Sequence, residues 1–362
     1  MNNIKIGWLC SYTPEEIITA AGLKPVRMLG NGLPIQDADT FLHSNLCPYV
    51  RNILDMGLQG EWNDLQGAVF VNSCDAMRRL SDAYRKYVKP GYHHLIDLPK
   101  INDDLAIDYF ARSLKSFASS LEREFNVRIE DENLLESIKI LNKTRRLIRE
   151  LYLLRVNNDC HISSAGLFQK TVHFLSEPKT DSLNYEISQF RHELERLTVK
   201  RNHSKLSADK RPNILVTGCI ISQPELIELV EEAGGYVPVE DLCTSLRHFE
   251  GCVKEEGDPY SSLAERYLKR VPCARMQNIR LKLKYLLSLI HDFHIDGVIY
   301  YTIKFCDQFL YDFPLLKIEL EKFNIPSLHL QGDYSLGSLG QMLTRLAAFI
   351  ELLNERKPEQ RL

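Results

Sequence analysis

Short runs of β-branched and aromatic residues, closed by glycine, proline or polar turns, recur in two blocks of the chain. The first block holds runs at residues 5–9, 25–29, 67–74 and 93–98, and the second at 214–218, 236–239, 297–303 and 327–330. The runs at 67–71, 214–218 and 297–303 are mostly β-branched, aliphatic or aromatic rather than alternating with polar residues, which is the pattern of strands buried on both faces of a parallel sheet. Segments of helical period separate them, at 15–21, 75–88, 224–233, 263–270, 278–291, 313–323 and 339–353. Strands alternating with helices predict parallel β-α-β units. Between the blocks the pattern changes. Leu134, Leu135, Ile138, Ile140, Leu141, Ile148, Leu151 and Leu154 recur at helical spacing within 103–155, and a further helix is expected over 182–197. A basic, polar linker follows at 200–212. The expected architecture is α/β, with two doubly wound parallel-sheet domains of Rossmann or flavodoxin type. Residues 1–100 and 209–362 form these domains, and a helical segment over 101–208 connects them. At the entry to the first helix, Thr13 is placed to cap, Pro14 to take the first helical position and Glu16 to complete a capping box.

Composition narrows the function classes. A chain of 362 residues has room for two sizeable cores. Charged residues make up 26% and the formal net charge is −3, so neither nucleic acid nor a membrane surface is an expected partner. No apolar run reaches the length of a membrane span, and the first strand is too short for a secretory core. A cytoplasmic protein is expected. There is no P-loop, no His-Glu-x-x-His and no Cys-x-x-Cys, and Gly332 to Gly337 lacks the spacing of a dinucleotide fingerprint.

The nine cysteines are odd in number and widely dispersed, which argues against a disulfide framework. Their positions carry more information than their number. Cys10, Cys74, Cys219, Cys243 and Cys306 all stand where a predicted strand ends, which is where ligands gather in parallel α/β sheets. The run from Ile295 to Ile303 shows the pattern best, ending at Phe305-Cys306-Asp307 with the Asp placed to start a helix. Cys47 sits at a loop or helix start ahead of Pro48. Two readings remain open on spacing alone: thiolate ligands of a metal or iron–sulfur centre, or small buried hydrophobes. Cys160, between helices, reads as structural, while Cys252 and Cys273 lie in loops. Ser11 and Glu15 are candidates for proton transfer beside the first of these thiols. Arg27, Arg51 and Lys304 lie near the proposed site, though each such side chain is more often solvated or ion-paired.

Several motifs together resemble the 2-hydroxyacyl-CoA dehydratase and benzoyl-CoA reductase superfamily. They are Gly7-Trp8-Leu9-Cys10-Ser11-Tyr12-Thr13-Pro14-Glu15-Glu16, Ala20-Ala21-Gly22-Leu23-Lys24-Pro25-Val26-Arg27, Asn45-Leu46-Cys47-Pro48, Ser73-Cys74-Asp75, Phe305-Cys306-Asp307, and Gly340-Gln341 with Thr344 to Glu351. The resemblance implies α/β domains and a 4Fe–4S cluster held by Cys47, Cys74 and Cys306. It also implies an ATP-hydrolysing iron–sulfur activator as electron donor. The substrate would be a small molecule such as an acyl-CoA, and the assembly a homodimer or a pair with a related second subunit. Gly218-Cys219, Asp241-Leu242-Cys243 and Gly251-Cys252-Val253 are similar to the double-cubane cluster branch, in which six cysteines carry an 8Fe–9S centre. On that resemblance Cys10, Cys219 and Cys243 are the second set of ligands, with Cys273 in reserve. The function implied is a low-potential reductase or dehydratase component working by single-electron chemistry. The alternative is an electron-transfer or scaffold subunit paired with a homologous catalytic chain.

Overall fold

The computed structural model describes residues 4–156, 162–202, 211–276, 278–334 and 339–356. Cys160 and most of the basic linker lie outside them. The chain forms two compact units. Unit 1 comprises residues 1–146, 175–184 and 250–277; unit 2 comprises 147–174, 185–249 and 278–362. Each contains one four-stranded sheet, and the helical stretch over 101–208 is divided between the units.

In unit 1 the strands are β1 (Lys5–Trp8), β2 (Lys24–Arg27), β3 (Gly67–Val71) and β4 (Tyr92–Ile96), in the spatial order β2-β1-β3-β4. All pairings are parallel. β3 is buried at every position, as its unbroken apolar run required. Helices α1 (Glu15–Ala20), α2 (Pro48–Leu58), α3 (Asp75–Ala83), α4 (Asp104–Phe125), α5 (Asp131–Leu153, shared with unit 2) and α10 (Pro259–Lys269) surround the sheet. α4 buries Phe110, Leu114, Phe117 and Leu121, spaced three or four apart along one face, and packs on α10. Asp103 caps α4 by accepting from the Ala106 N–H at 2.8 Å.

Unit 2 repeats this plan. β5 (Asn213–Gly218), β6 (Tyr236–Asp241), β7 (Gly297–Ile303) and β8 (Ser327–Gly332) are all parallel, in the order β6-β5-β7-β8. The two sheets therefore have one topology, the flavodoxin-like order with the first strand of each unit inside its second. Helices α6 (Ser164–Ser176), α7 (Asp181–Asn202), α8 (Glu225–Glu232), α9 (Leu246–Phe249), α11 (Ile279–Asp292), α12 (Asp307–Lys322) and α13 (Leu339–Glu355) complete the described α-helices; α7 begins in unit 1.

Three local expectations change. The capping box at α1 does not form: Pro14 is the N-cap residue, and the Thr13 hydroxyl is buried without a hydrogen-bond partner. Glu16 instead pairs with Arg145, a stronger partner for a buried carboxylate than a backbone amide. α12 starts at Asp307, as the Asp after Cys306 predicted, so the helix expected over 313–323 begins earlier and contains Pro314 in its interior. α6 is a helix beyond those expected from the periodicity. Among the described residues, no helix is long and apolar enough to cross a membrane.

Candidate functional site

The carboxyl ends of the unit 1 strands bring together thiols and cations. Beyond β1 the chain turns through Cys10 to Thr13, closed by a Thr13 N–H bond to the Cys10 carbonyl at 2.8 Å. The Ser11 carbonyl accepts from Arg270 at 2.8 Å, and the Arg270 guanidinium lies 4.6 Å from the centre of the Tyr12 ring. Beyond β3, Cys74 is the N-cap residue of α3. Lys100 holds this loop by donating to the carbonyls of Asn72 at 2.9 Å and Ser73 at 2.6 Å. Burial pushes the Lys100 ammonium below its ordinary range, while the thiols of Cys74, Cys10 and Cys273 oppose that shift. Cys273 also receives a contact from Arg275 at 3.3 Å, and its backbone N–H faces the Tyr12 hydroxyl at 3.4 Å. Burial raises the Tyr12 phenol well above its usual value, and the nearby Cys273 adds to this. Cys47, at the start of α2 with Pro48 in the first helical position, is buried as well.

Ser11 and Glu15 are both buried. Glu15 is engaged in a buried ion pair with Lys179 at 3.2 Å. The neighbouring Glu16 accepts from Arg145 and from the Tyr267 hydroxyl, the latter at 2.9 Å. Cys252 is exposed, with Arg146 3.9 Å from its sulfur. Arg51 forms a two-pronged pair with Asp39, 2.6 Å at each prong. Lys304, in unit 2, pairs with Asp333 at 3.1 Å near the surface.

In unit 2 the thiols occupy matching places. Cys219 follows β5 directly. Gly218 before it has φ of +129°, and a Cβ there would stand 2.0 Å from the Tyr301 carbonyl oxygen. Only glycine permits this approach, which lets Cys219 N–H bond to Tyr301 O at 2.8 Å. Cys243 follows β6 and is half-buried. Cys306 is the N-cap residue of α12, and Phe305 before it has φ of +59°, a costly conformation for a residue with a side chain. The strain sits immediately beside a candidate ligand. Arg247 fixes the floor of this region. It donates to Asp241 through Nε at 2.7 Å and Nη2 at 2.6 Å, and to the Gly218 carbonyl at 3.1 Å. Burial alone would raise the Asp241 carboxyl, and Arg247 together with the Thr217 hydroxyl holds it below the usual aspartate range.

Each unit thus places three of the six candidate cysteines at the same end of its sheet: Cys10, Cys47 and Cys74 in unit 1, and Cys219, Cys243 and Cys306 in unit 2. Cys47, Cys74 and Cys306 share a further feature: each is a helix N-cap residue whose side chain does not hydrogen-bond its own helix. A helix N-terminus favours negative charge, so a thiolate there is in suitable surroundings. Among the described residues, no three Cys, His, Asp or Glu side chains converge as ligands of a single metal ion. A cubane asks for something else, because each thiolate binds a different iron. The donor chemistry of buried, reduced thiols at strand ends suits such a group.

The family model for 2-hydroxyglutaryl-CoA dehydratase, D-component, matches residues 10–353. The chain belongs to this family. One of the subunits of benzoyl-CoA reductase from Thauera aromatica is 26% identical over 356 residues, covering 96% of this chain and 90% of the relative. The (R)-phenyllactyl-CoA dehydratase beta subunit of Clostridium sporogenes is 24% identical over 352 residues, with 96% and 91% covered. The YjiM protein of Escherichia coli strain K12 is 28% identical over 362 residues, again with 96% and 91% covered. The family's match begins at Cys10 and takes in every cysteine named above.

Sequence reasoning found the thiols but missed Lys100, Arg270 and Arg275. Lys100 lies just beyond β4, where the ligand-gathering rule for parallel sheets applies as it did to the cysteines. Arg270 and Arg275 come from a segment far along the chain, and nothing local connects them with Cys10.

Proposed function

We propose that this chain is an iron–sulfur component of a low-potential reductase or 2-hydroxyacyl-CoA dehydratase. Cys47, Cys74 and Cys306 would hold a 4Fe–4S cluster, and Cys10, Cys219 and Cys243 would be available for a second cubane. The observation that carries this reading is the recurrence of buried thiols at the carboxyl ends of two sheets of one topology. Membership of the dehydratase family supports it. The relatives are named as subunits of enzymes of phenyllactyl-CoA and benzoyl-CoA, which supports an acyl-CoA substrate and a related partner subunit. The electron would come from an ATP-hydrolysing activator, as the family resemblance implies; the chain itself has no P-loop.

When bound, such a cluster supplies one-electron chemistry and a Lewis-acidic iron. The protein's own contribution is electrostatic and steric. Lys100, Arg270 and Arg275 set positive charge beside the unit 1 thiols. Ser11 and Glu15 are the proton-transfer groups of this reading, with Lys179 holding the Glu15 carboxylate in place. Anoxic purification tests the proposal. A brown protein with about four or about eight irons per chain and matching sulfide is expected. A colourless, iron-free chain after reconstitution with iron and sulfide would contradict it. Turnover of an acyl-CoA only when a related subunit is added would assign this chain the electron-transfer or scaffold role instead.

A further inference from the structure

β2 ends in a residue that its surroundings do not satisfy. Arg27 is only 3% exposed, and its guanidinium lies 4.3 Å from the centre of the Trp8 ring. Neither its Nε nor its Nη1 meets a hydrogen-bond acceptor. Two other buried cations of unit 1 have carboxylate partners: Arg145 has Glu16 and Lys179 has Glu15. Arg27 forms no ion pair among the described residues. Taking an unpaired guanidinium out of water is unfavourable, and stacking on an aromatic face offsets only part of that cost.

The surroundings of Arg27 are held in place. It lies in register with Trp8, at the last position of β2 and hence at the carboxyl edge of the sheet. The next residue is fixed by Met28 N–H on Trp8 O at 2.8 Å and by the Tyr49 hydroxyl on Met28 O at 3.0 Å. Further along, Asn52 accepts from the Asn31 N–H at 3.0 Å. Asp55 accepts from the N–H groups of Asp37 and Ala38 at 2.7 and 2.9 Å. Asp55 is therefore already committed to the loop backbone.

We propose that Arg27, stacked on Trp8, is the binding site for a small oxyanion, a carboxylate or a phosphate, at the carboxyl edge of the unit 1 sheet. Guanidinium N–H groups suit two-pronged recognition of such oxygens, and the indole face fixes the plane in which they are offered.

Thermal unfolding of the full chain, titrated separately with sodium acetate and sodium phosphate against sodium chloride at matched ionic strength, tests this. Wild type is expected to gain stability from acetate or phosphate beyond the chloride effect. The stronger of the two responses identifies the carboxylate or the phosphate as the ligand. Arg27→Met should weaken the apparent affinity by about 10- to 100-fold, the equivalent of one lost charged hydrogen bond. Arg27→Lys keeps the charge without the planar fork and should fall between; it carries the test if the methionine variant fails to fold. A wild-type chain that responds to neither oxyanion beyond chloride would overturn the site. So would variants that respond as wild type does.

Discussion

In unit 1 the edge strand β2 ends in Arg27, whose Nε and Nη1 meet no acceptor. In unit 2 the topologically equivalent strand β6 ends in Asp241, which is held by Arg247 and the Thr217 hydroxyl. The interior strands show the opposite relation. β1 and β5 are followed by Cys10 and Cys219, and β3 and β7 by Cys74 and Cys306. One topology thus carries thiols at equivalent interior positions and different electrostatics at its edge. The difference separates two features: thiols that recur at the interior strand ends of both units, and an edge whose cation lacks acceptors in one unit and is closed by an ion pair in the other.

The comparison can be broken most severely at the closed edge. Arg247→Met would strand the Asp241 carboxylate in a site with no access to water, at a cost of about 3–5 kcal/mol. Chemical denaturation of the purified chain measures this. A loss below about 1 kcal/mol would show that the pair is not needed to close the edge, given the stability expected of surface pairs alone.

The residue next to Asp241 sharpens the contrast through pH. Burial raises the Glu240 carboxyl to about 7, outweighing the lowering by Arg155 and by the Tyr152 hydroxyl, while Glu231 adds to the rise. The folded chain therefore holds a proton that the unfolded chain releases between the ordinary glutamate value of 4.5 and about 7. Stability from this group is present at low pH and declines as pH rises through that window. The slope for one proton is up to about 1.4 kcal/mol per pH unit. Glu240→Gln should flatten the stability–pH profile between these values, and an unchanged slope would assign the dependence to other groups.

The smallest effect is expected at the surface. Lys304 follows β7, yet its pair with Asp333 is about half exposed on both sides. Lys304→Gln should change stability by less than about 1 kcal/mol. A larger loss in the same denaturation experiment would show that this cation does more than decorate the strand end.

Both sheets were legible from hydrophobic runs alone, because fully buried parallel strands such as β3 and β7 leave no polar alternation to confuse with a helix. Five of the thiols, Cys10, Cys74, Cys219, Cys243 and Cys306, were legible for the same reason, each standing just past a recognisable run, while Cys47 stands ahead of Pro48 at a helix start. The capping box at Thr13 and Glu16 was not, since a local motif lost to the long-range pairing of Glu16 with Arg145, 129 residues away in sequence. Lys100, Arg270 and Arg275 were hidden for a related reason. A lysine or arginine reads as surface until the fold shows it donating to buried carbonyls. Arg27 stood in a quoted motif, but only its burial distinguishes it from a solvated cation.

Equivalent strand-end thiols in the two units are proposed to serve iron–sulfur ligation. Iron and acid-labile sulfide per chain, measured under strict anoxia for wild type, Cys74→Ala and Cys306→Ala, test it most directly. Wild type is expected to hold about four or about eight irons, and both variants to lose a comparable, large share of them. Wild type without iron, or variants that retain the wild-type content, would contradict it.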